Sequence, residues 1–276
     1  MSRIPYDESL RRLNEQVESD EPIIGAGAGT GLSAKFAERG GVDVIIIYNS
    51  GRFRMAGRGS CAGLLPYGDA NEIVQEMAGE VIPVVEDTPV LAGVCGTDPF
   101  RQMPNFLDKI KEIGFEGVQN FPTVGVIDGH FRQTLEETGM SIDLEVEMIE
   151  LAHERDLLTC PYAFNTEEAR KMTQAGGDVI VAHMNTTTKG DTGADTAVSL
   201  DEAADRVQEI ADTVHDIDSD RLVLCHGGPI AEPEDAQYIF DNTENVVGFF
   251  GASSIERLAS EPAIENQARR FKDLDV

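Results

Sequence analysis

Three arginines stand close together in an otherwise acidic chain, within SGRFRMAGRGS at residues 50–60. Arg52, Arg54 and Arg58 are interleaved with glycines. No Asp or Glu occurs from Val44 to Gly68, although the 276-residue chain holds 50 acids against 22 Lys and Arg. Arginine's planar fork captures a carboxylate or phosphate through paired hydrogen bonds, so this stretch is expected to be a mobile loop that binds a small anion. The competing expectation lays the arginines along the surface against acidic neighbours. Two histidines offer a second chemistry. His183 ends the apolar run VIVAH and His226 ends LVLCH. Imidazoles there can move protons near neutral pH or bind metal, or serve as ordinary core residues. His130, His153 and His215 fall in a loop or on helices.

Other polar residues collect at the ends of similar runs. GAGAGTGLSAK carries Gly27 and Gly29 into a helix start, a pattern that can place backbone N–H groups against a phosphate or carboxylate; a tight turn of small residues is the alternative. Gly227 and Gly228 in HGGPI, and Ser253 and Ser254 in GASSIER, repeat the arrangement, while Ser253 with Glu256 also reads as a capping box. Asn49 and Ser50 open the arginine stretch. Asp98 in GTDPF can hold a cation, act as a base, or cap the next helix. Gln119 and Asn120 in QNFPTVG, with Tyr162 and Asn165 in YAFN, can orient a substrate oxygen. Lys189 sits in NTTTKGDTG, a polar loop with the glycines of a lid, or a plain surface excursion.

The elements that must position these residues are legible from periodicity. Apolar, β-branched runs at 21–27, 42–50, 88–96, 115–121, 156–164, 178–184, 221–227 and 246–252 alternate with helical patterns at 31–39, 70–79, 101–112, 139–153, 166–175, 200–216, 233–241 and 254–272. Buried parallel strands alternating with helices, eight times over, predict a single (β/α)8 barrel over residues 1–276, whose working residues follow the strands. An open doubly wound sheet shares the local pattern. Leu10, Leu13 and Val17 predict an added helix within residues 1–20, plugging the barrel floor or packing on a partner subunit.

Composition narrows the partners. A formal charge of −28 with only six lysines predicts adaptation to a salt-rich cytoplasm and argues against binding nucleic acid. No apolar run reaches spanning length and no signal-like segment leads the chain, so a soluble, cytoplasmic protein is expected. Cys61, Cys95, Cys160 and Cys225 form no CxxC pair and suggest neither zinc nor disulfides.

The runs YNSGRFRMAGRGSCAGLLPYGDAN, GVCGTDPF, QNFPTVG, AHMNTTT, LCHGGPI and GASSIER resemble the phosphoenolpyruvate hydrolase-like family, also called the TIM-barrel signal-transduction family. That family is similar to the C-terminal domain of plant tobamovirus-resistance proteins and to the phosphoenolpyruvate/pyruvate-domain superfamily. The resemblance covers about residues 11–271. It implies an enzyme of phosphoenolpyruvate or a related 2-oxo or enol acid, with phosphate-ester hydrolysis first, a carbon–carbon lyase second, and a non-catalytic sensing barrel third. In that reading the arginines and glycine loops hold the anion, His226 or His183 is the acid/base, and Asn49 orients the substrate. The small anionic metabolite is the expected partner, and a homo-oligomer the expected assembly. Superfamily relatives hold magnesium with acids on strands three and four. Here those ends offer Asp98 beside neutral Gln119 and Asn120, and Glu86 and Asp87 precede strand three, so no magnesium ligand set carries over and the cofactor is left open.

Overall fold

The apolar runs form parallel strands separated by helices, in a computed structural model that describes residues 4–276. Residues 1–3, which the expected domain and N-terminal extension include, lie outside the described residues. The strands are β1 (Ile23–Gly27), β2 (Val44–Ile47), β3 (Val90–Gly93), β4 (Gly117–Gln119), β5 (Leu158–Thr159), β6 (Tyr162–Ala163), β7 (Val179–His183), β8 (Leu222–His226) and β9 (Gly248–Gly251). Among the described residues they make one nine-stranded sheet in the order β5-β4-β3-β2-β1-β9-β8-β7-β6.

The expected fifth strand appears as two, β5 and β6, and these are the two edges of the sheet. Pro161 lies between them and has no N–H to continue a ladder. The same run nevertheless reaches both neighbours: Cys160 N donates to Val118 O at 3.0 Å, and Val181 N donates to Pro161 O at 2.9 Å. The sheet is therefore a curled α/β wall whose edges share one piece of chain. Its strands are apolar on both faces, with Val44–Ile47 wholly buried, as helices covering a parallel sheet require.

Helices follow the strands: α2 (Gly31–Arg39), α4 (Ala70–Val81), α5 (Met103–Ile113), α7 (Ile142–His153), α8 (Thr166–Gln174), α9 (Leu200–His215), α10 (Pro233–Asp241) and α11 (Arg257–Lys272). Two more were not evident from periodicity, α3 (Asn49–Met55) and α6 (Gly129–Glu137). The arginine stretch thus begins as a helix rather than a loop, followed by a 3-10 turn at Ser60–Leu64. Gly29 explains why a helix fits there: a Cβ on it would come 2.1 Å from the Gly51 carbonyl, so only glycine lets α3 sit against the first loop. The N-terminal helix α1 (Tyr6–Glu18) crosses the N-terminal ends of the strands. Tyr6 Oη donates to Asp178 at 2.8 Å, Arg12 reaches the Asp87 carbonyl at 3.0 Å, and Leu13 is buried. Among the described residues no helix is long and apolar enough to cross a membrane.

Candidate active site

The register of β7 on β8 sets His183 directly opposite His226. Both rings are buried at the C-terminal ends of their strands, with centroids 4.4 Å apart and planes at 74°. Aromatic residues from neighbouring strand ends enclose them. Tyr162 stacks on His226 at 5.2 Å, and Phe164 stacks on His183 at 4.4 Å. The rings adjoin a narrow cavity of about 40 Å³, lined also by Tyr48, Phe121, Asn185, Thr187 and Ser253. That is room for a few waters.

The two imidazoles hold opposite tautomers, assigned from their hydrogen bonds. His183 Nδ1 accepts from Asn185 N at 3.0 Å, so its proton lies on Nε2. His226 Nδ1 meets the Phe250 carbonyl, which can only accept, so its proton lies on Nδ1 and Nε2 keeps a lone pair. Neither Nε2 has a hydrogen-bond partner among the described residues. Burial pushes both below the usual histidine range, His226 to about 4, with each ring's cationic form further opposed by His226 beside His183 and by Arg54 near His226. A neutral donor and a neutral acceptor therefore face one cavity, a pairing suited to moving a proton.

Asn49 and Ser50 act one step back from the cavity. Asn49 Nδ2 donates to Gly63 O at 2.8 Å and Ser50 Oγ donates to Ser60 O at 2.7 Å, pinning the Ser60–Leu64 turn over the mouth. Ser60 Oγ also meets Ser253 Oγ at 3.3 Å, and Cys61 Sγ meets Thr186 Oγ1 at 3.4 Å. Ser254 Oγ and Asn49 Oδ1 are buried without a partner among the described residues. Gly227 and Gly228, at φ of 79° and 57°, make a turn that L side chains resist, and it ties the loop after β8 to Asn185 and Thr188.

The three arginines go three ways. Arg52 lies against Glu76 at 2.5 Å and Glu80 at 3.6 Å, and Arg58 is exposed against its own Ala56 and Gly57 carbonyls. Arg54 is buried, and its Nε and Nη2 donate to Glu256 at 2.8 and 2.6 Å. Glu256 also accepts from Gly29 N at 2.6 Å and from Ser33 Oγ, while Gly27 O accepts from Arg54 Nη2 at 3.3 Å. The anion held between the arginine helix and the first glycine loop is the protein's own carboxylate. Lys189 is paired with Asp235 at 3.1 Å. Among the described residues lining the cavity there is no Lys or Arg.

Asp98 and Asn120 are equally committed. Asp98 caps the turn through Phe100 N at 2.9 Å and accepts from Asn71 and Arg101, each at 3.0 Å. Asn120 donates to Glu145 at 2.7 Å and accepts from Tyr162 N at 2.7 Å. Its neighbour Gln119 is neutral, and no group of three or more His, Cys, Asp or Glu among the described residues is placed to hold a metal ion. Gln119 Oε1 is buried without a partner among the described residues, but one neutral amide oxygen beside a committed Asp98 and Asn120 does not make a magnesium ligand set. Asn165 caps α8 through Glu168 N at 2.9 Å.

Sequence reasoning missed two contributors. Tyr48 ends β2 one residue before Asn49, and its place in a strand-end run was the available signal. Glu145 carried none, being one acid among many on α7. It is fully buried, accepts from Thr123 Oγ1, Val124 N and Asn120, and burial pushes its pKa up to about 7 against those hydrogen bonds.

A match to the phosphoenolpyruvate hydrolase-like family spans residues 8–274, with every strand and both histidines inside it. The chain belongs to the phosphoenolpyruvate hydrolase-like family. Two tomato (Solanum lycopersicum) proteins, the ToMV susceptible protein tm-1(GCR26) and the ToMV resistance protein Tm-1(GCR237), are each 61% identical to it over 267 residues, 97% of this chain. The chain spans only 35% of each tomato protein. In fold, this phosphoenolpyruvate hydrolase-like chain is similar to a phosphoenolpyruvate phosphomutase from Streptomyces platensis subsp. rosaceus, with a TM-score of 0.61 at 15% identity over 96% of this chain and 88% of that one. An oxaloacetate acetylhydrolase solved with 3,3-difluorooxalacetate gives a TM-score of 0.60 at 16% identity, covering 98% and 88%.

Proposed function

We propose that the protein is an enzyme of small 2-oxo or enol acids that moves a proton between His226 and His183 while a bond beside the substrate carbonyl breaks or forms. The observation that carries this reading is the opposite tautomers of two adjacent, neutral imidazoles over one cavity. His226 Nε2 is the base and His183 Nε2–H the acid or carbonyl-polarising donor. The nine strands work as a (β/α)8 barrel in which 157–164 is a single stave, so the site occupies the usual C-terminal face. The Ser60–Leu64 turn opens to admit substrate and closes to exclude water.

The family description and the structural neighbours named for phosphoenolpyruvate and oxaloacetate chemistry support the substrate class. Between reactions, carbon-bond cleavage through an enolate is favoured over phosphate-ester hydrolysis. A phosphate ester brings two or more charges, and every cation near the site is already paired or stands outside.

The test is a screen of oxaloacetate, phosphoenolpyruvate and related 2-oxo acids in molar potassium chloride, following pyruvate and phosphate. Turnover of a 2-oxo acid that falls about a hundredfold or more in His226→Gln is expected. Phosphate release from phosphoenolpyruvate that survives His226→Gln would sink the proton-transfer reading. Ligand-induced stabilisation without turnover would assign a sensing barrel instead.

A further inference from the structure

We propose that the Tyr162 phenol is the hydrogen-bond donor to an oxyanion formed on the substrate, with Tyr48 and Arg54 behind it as positioning residues. This rests on the 2-oxo acid reading above. Tyr162 is 1% exposed and lines the cavity between the two histidines, edge-on to His183 at 4.6 Å and stacked on His226. Its hydroxyl is buried with no hydrogen-bond partner among the described residues. Buried hydroxyls are nearly always paired, so one without a partner beside a cavity calls for an explanation, and a bound ligand atom supplies one.

The surroundings prepare this hydroxyl to donate. Tyr48 lines the same cavity and lies near enough to act on the Tyr162 hydroxyl electrostatically, though the two do not meet in hydrogen-bond geometry. Tyr48 Oη in turn accepts from Arg54 Nη1 at 3.2 Å, in space left by Gly27, where a Cβ would come 3.0 Å from that oxygen. That contact fixes the Tyr48 hydroxyl in place on the cavity wall beside Tyr162. Arg54, though paired with Glu256, still lies close enough to disfavour a proton on His226 and to ease negative charge at Tyr162. Tyr162 is also held from its backbone, since Asn120 accepts from its N–H and donates to its carbonyl at 3.4 Å while anchored on Glu145. Such clamping keeps a donor aimed before charge develops.

In the step this implies, which is the reverse of the enolate protonation that completes cleavage, His226 Nε2 takes a proton from the carbon beside the carbonyl. The C–H electron pair becomes the new C=C bond, and the carbonyl π pair moves onto oxygen. That oxygen carries the negative charge, and the Tyr162 O–H bonds to it without giving up its proton. The ligand class is therefore a planar enolate of a small 2-oxo acid.

Tyr162→Phe tests the assignment, with oxalate as a planar enolate mimic measured by calorimetry beside turnover. The variant is expected to keep its melting temperature, since it removes an unpaired hydroxyl. Its kcat should fall about a hundredfold with KM nearly unchanged, and oxalate affinity should fall about tenfold. Wild-type kcat and oxalate affinity in Tyr162→Phe would overturn the assignment. Tyr48→Phe provides a second reading if the first variant does not fold: kcat about tenfold lower at unchanged KM supports the proposal, and parity with wild type overturns it. A wild-type protein that neither turns over a 2-oxo acid nor binds oxalate would remove both this inference and the function it rests on. Wild-type turnover with an unaffected Tyr162→Phe removes this one alone.

Discussion

The guanidinium of Arg54 and the carboxylate of Glu256, 202 residues apart in the chain, meet at 2.6 Å with each side chain only 1% exposed. This pair joins the arginine helix α3 to the start of α11 and closes the first glycine loop through Gly29. An arginine expected to wait for a substrate anion is already saturated by an internal one.

Breaking this pair should cost stability. Arg54→Ala leaves a buried carboxylate unpaired and is expected to destabilise the fold by about 3–5 kcal/mol. In a chain of this size that lowers the melting temperature by several degrees at least. Arg52→Ala, which loses only a surface pair, should shift it by less than about 1 kcal/mol. Calorimetric melting of both variants decides the matter, and equal melting temperatures would contradict the buried-pair account. An arginine in the expected anion-binding loop would instead lose binding on Arg54→Ala while stability stayed unchanged.

The buried histidines should make the protein acid-sensitive. Their folded pKa values lie below the unfolded value of about 6.5, so the unfolded state binds more protons between pH 6.5 and about 4, where His226 titrates. Stability is therefore fully present above pH 6.5 and lost as pH falls through that window, at up to about 1.4 kcal/mol per pH unit for each histidine. Glu145, raised to about 7, acts in the opposite sense, its contribution falling as pH rises from about 4.5 towards 7. Urea unfolding of wild type and His226→Gln between pH 4 and 7 should show a shallower acid loss in the variant. Parallel curves would refute the assignment.

Salt should govern folding. A net charge of −28 spread along the chain repels itself in dilute buffer, and molar salt shortens that repulsion to a few ångströms. We expect the melting temperature to rise steeply from 0.1 to about 2 M potassium chloride. A melting temperature independent of salt would be evidence against halophilic adaptation.

Self-association is expected through α11. Ile264, Phe271 and Leu274 are exposed along and just beyond it, and Arg269, Arg270 and Lys272 close it with positive charge on a strongly acidic molecule. A second copy offers apolar cover and opposite charge together. Light scattering should report a homo-oligomer at micromolar concentration that dissociates in Phe271→Asp. A wild-type monomer would remove the proposal.

Local pattern carried much of the architecture. The alternation of apolar runs and amphipathic segments marked each strand region and most helices within a few residues, because burial on both faces of a parallel sheet leaves an apolar signature in the chain itself. The same logic placed His183 and His226 at the C-terminal ends of their strands. It failed where the deciding partner was distant or the signal ambiguous. Nothing in NSGRFRM distinguishes a helix from a glycine-spaced loop until Gly29 is seen packing against Gly51. The run 156–164 reads as one strand until Pro161 interrupts its ladder.

By itself, then, the sequence determined which side chains end the strands and how acidic the surface is, since both follow from neighbours along the chain. Only the tertiary structure decided what those side chains face. The register of β7 on β8 puts two imidazoles ring to ring. Their opposite tautomers come from a backbone N–H and a backbone carbonyl on different segments. Arg54 is paired with an acid 202 residues away. These are long-range contacts between polar groups removed from water, where pairing fixes charge and proton position, and no local pattern records them.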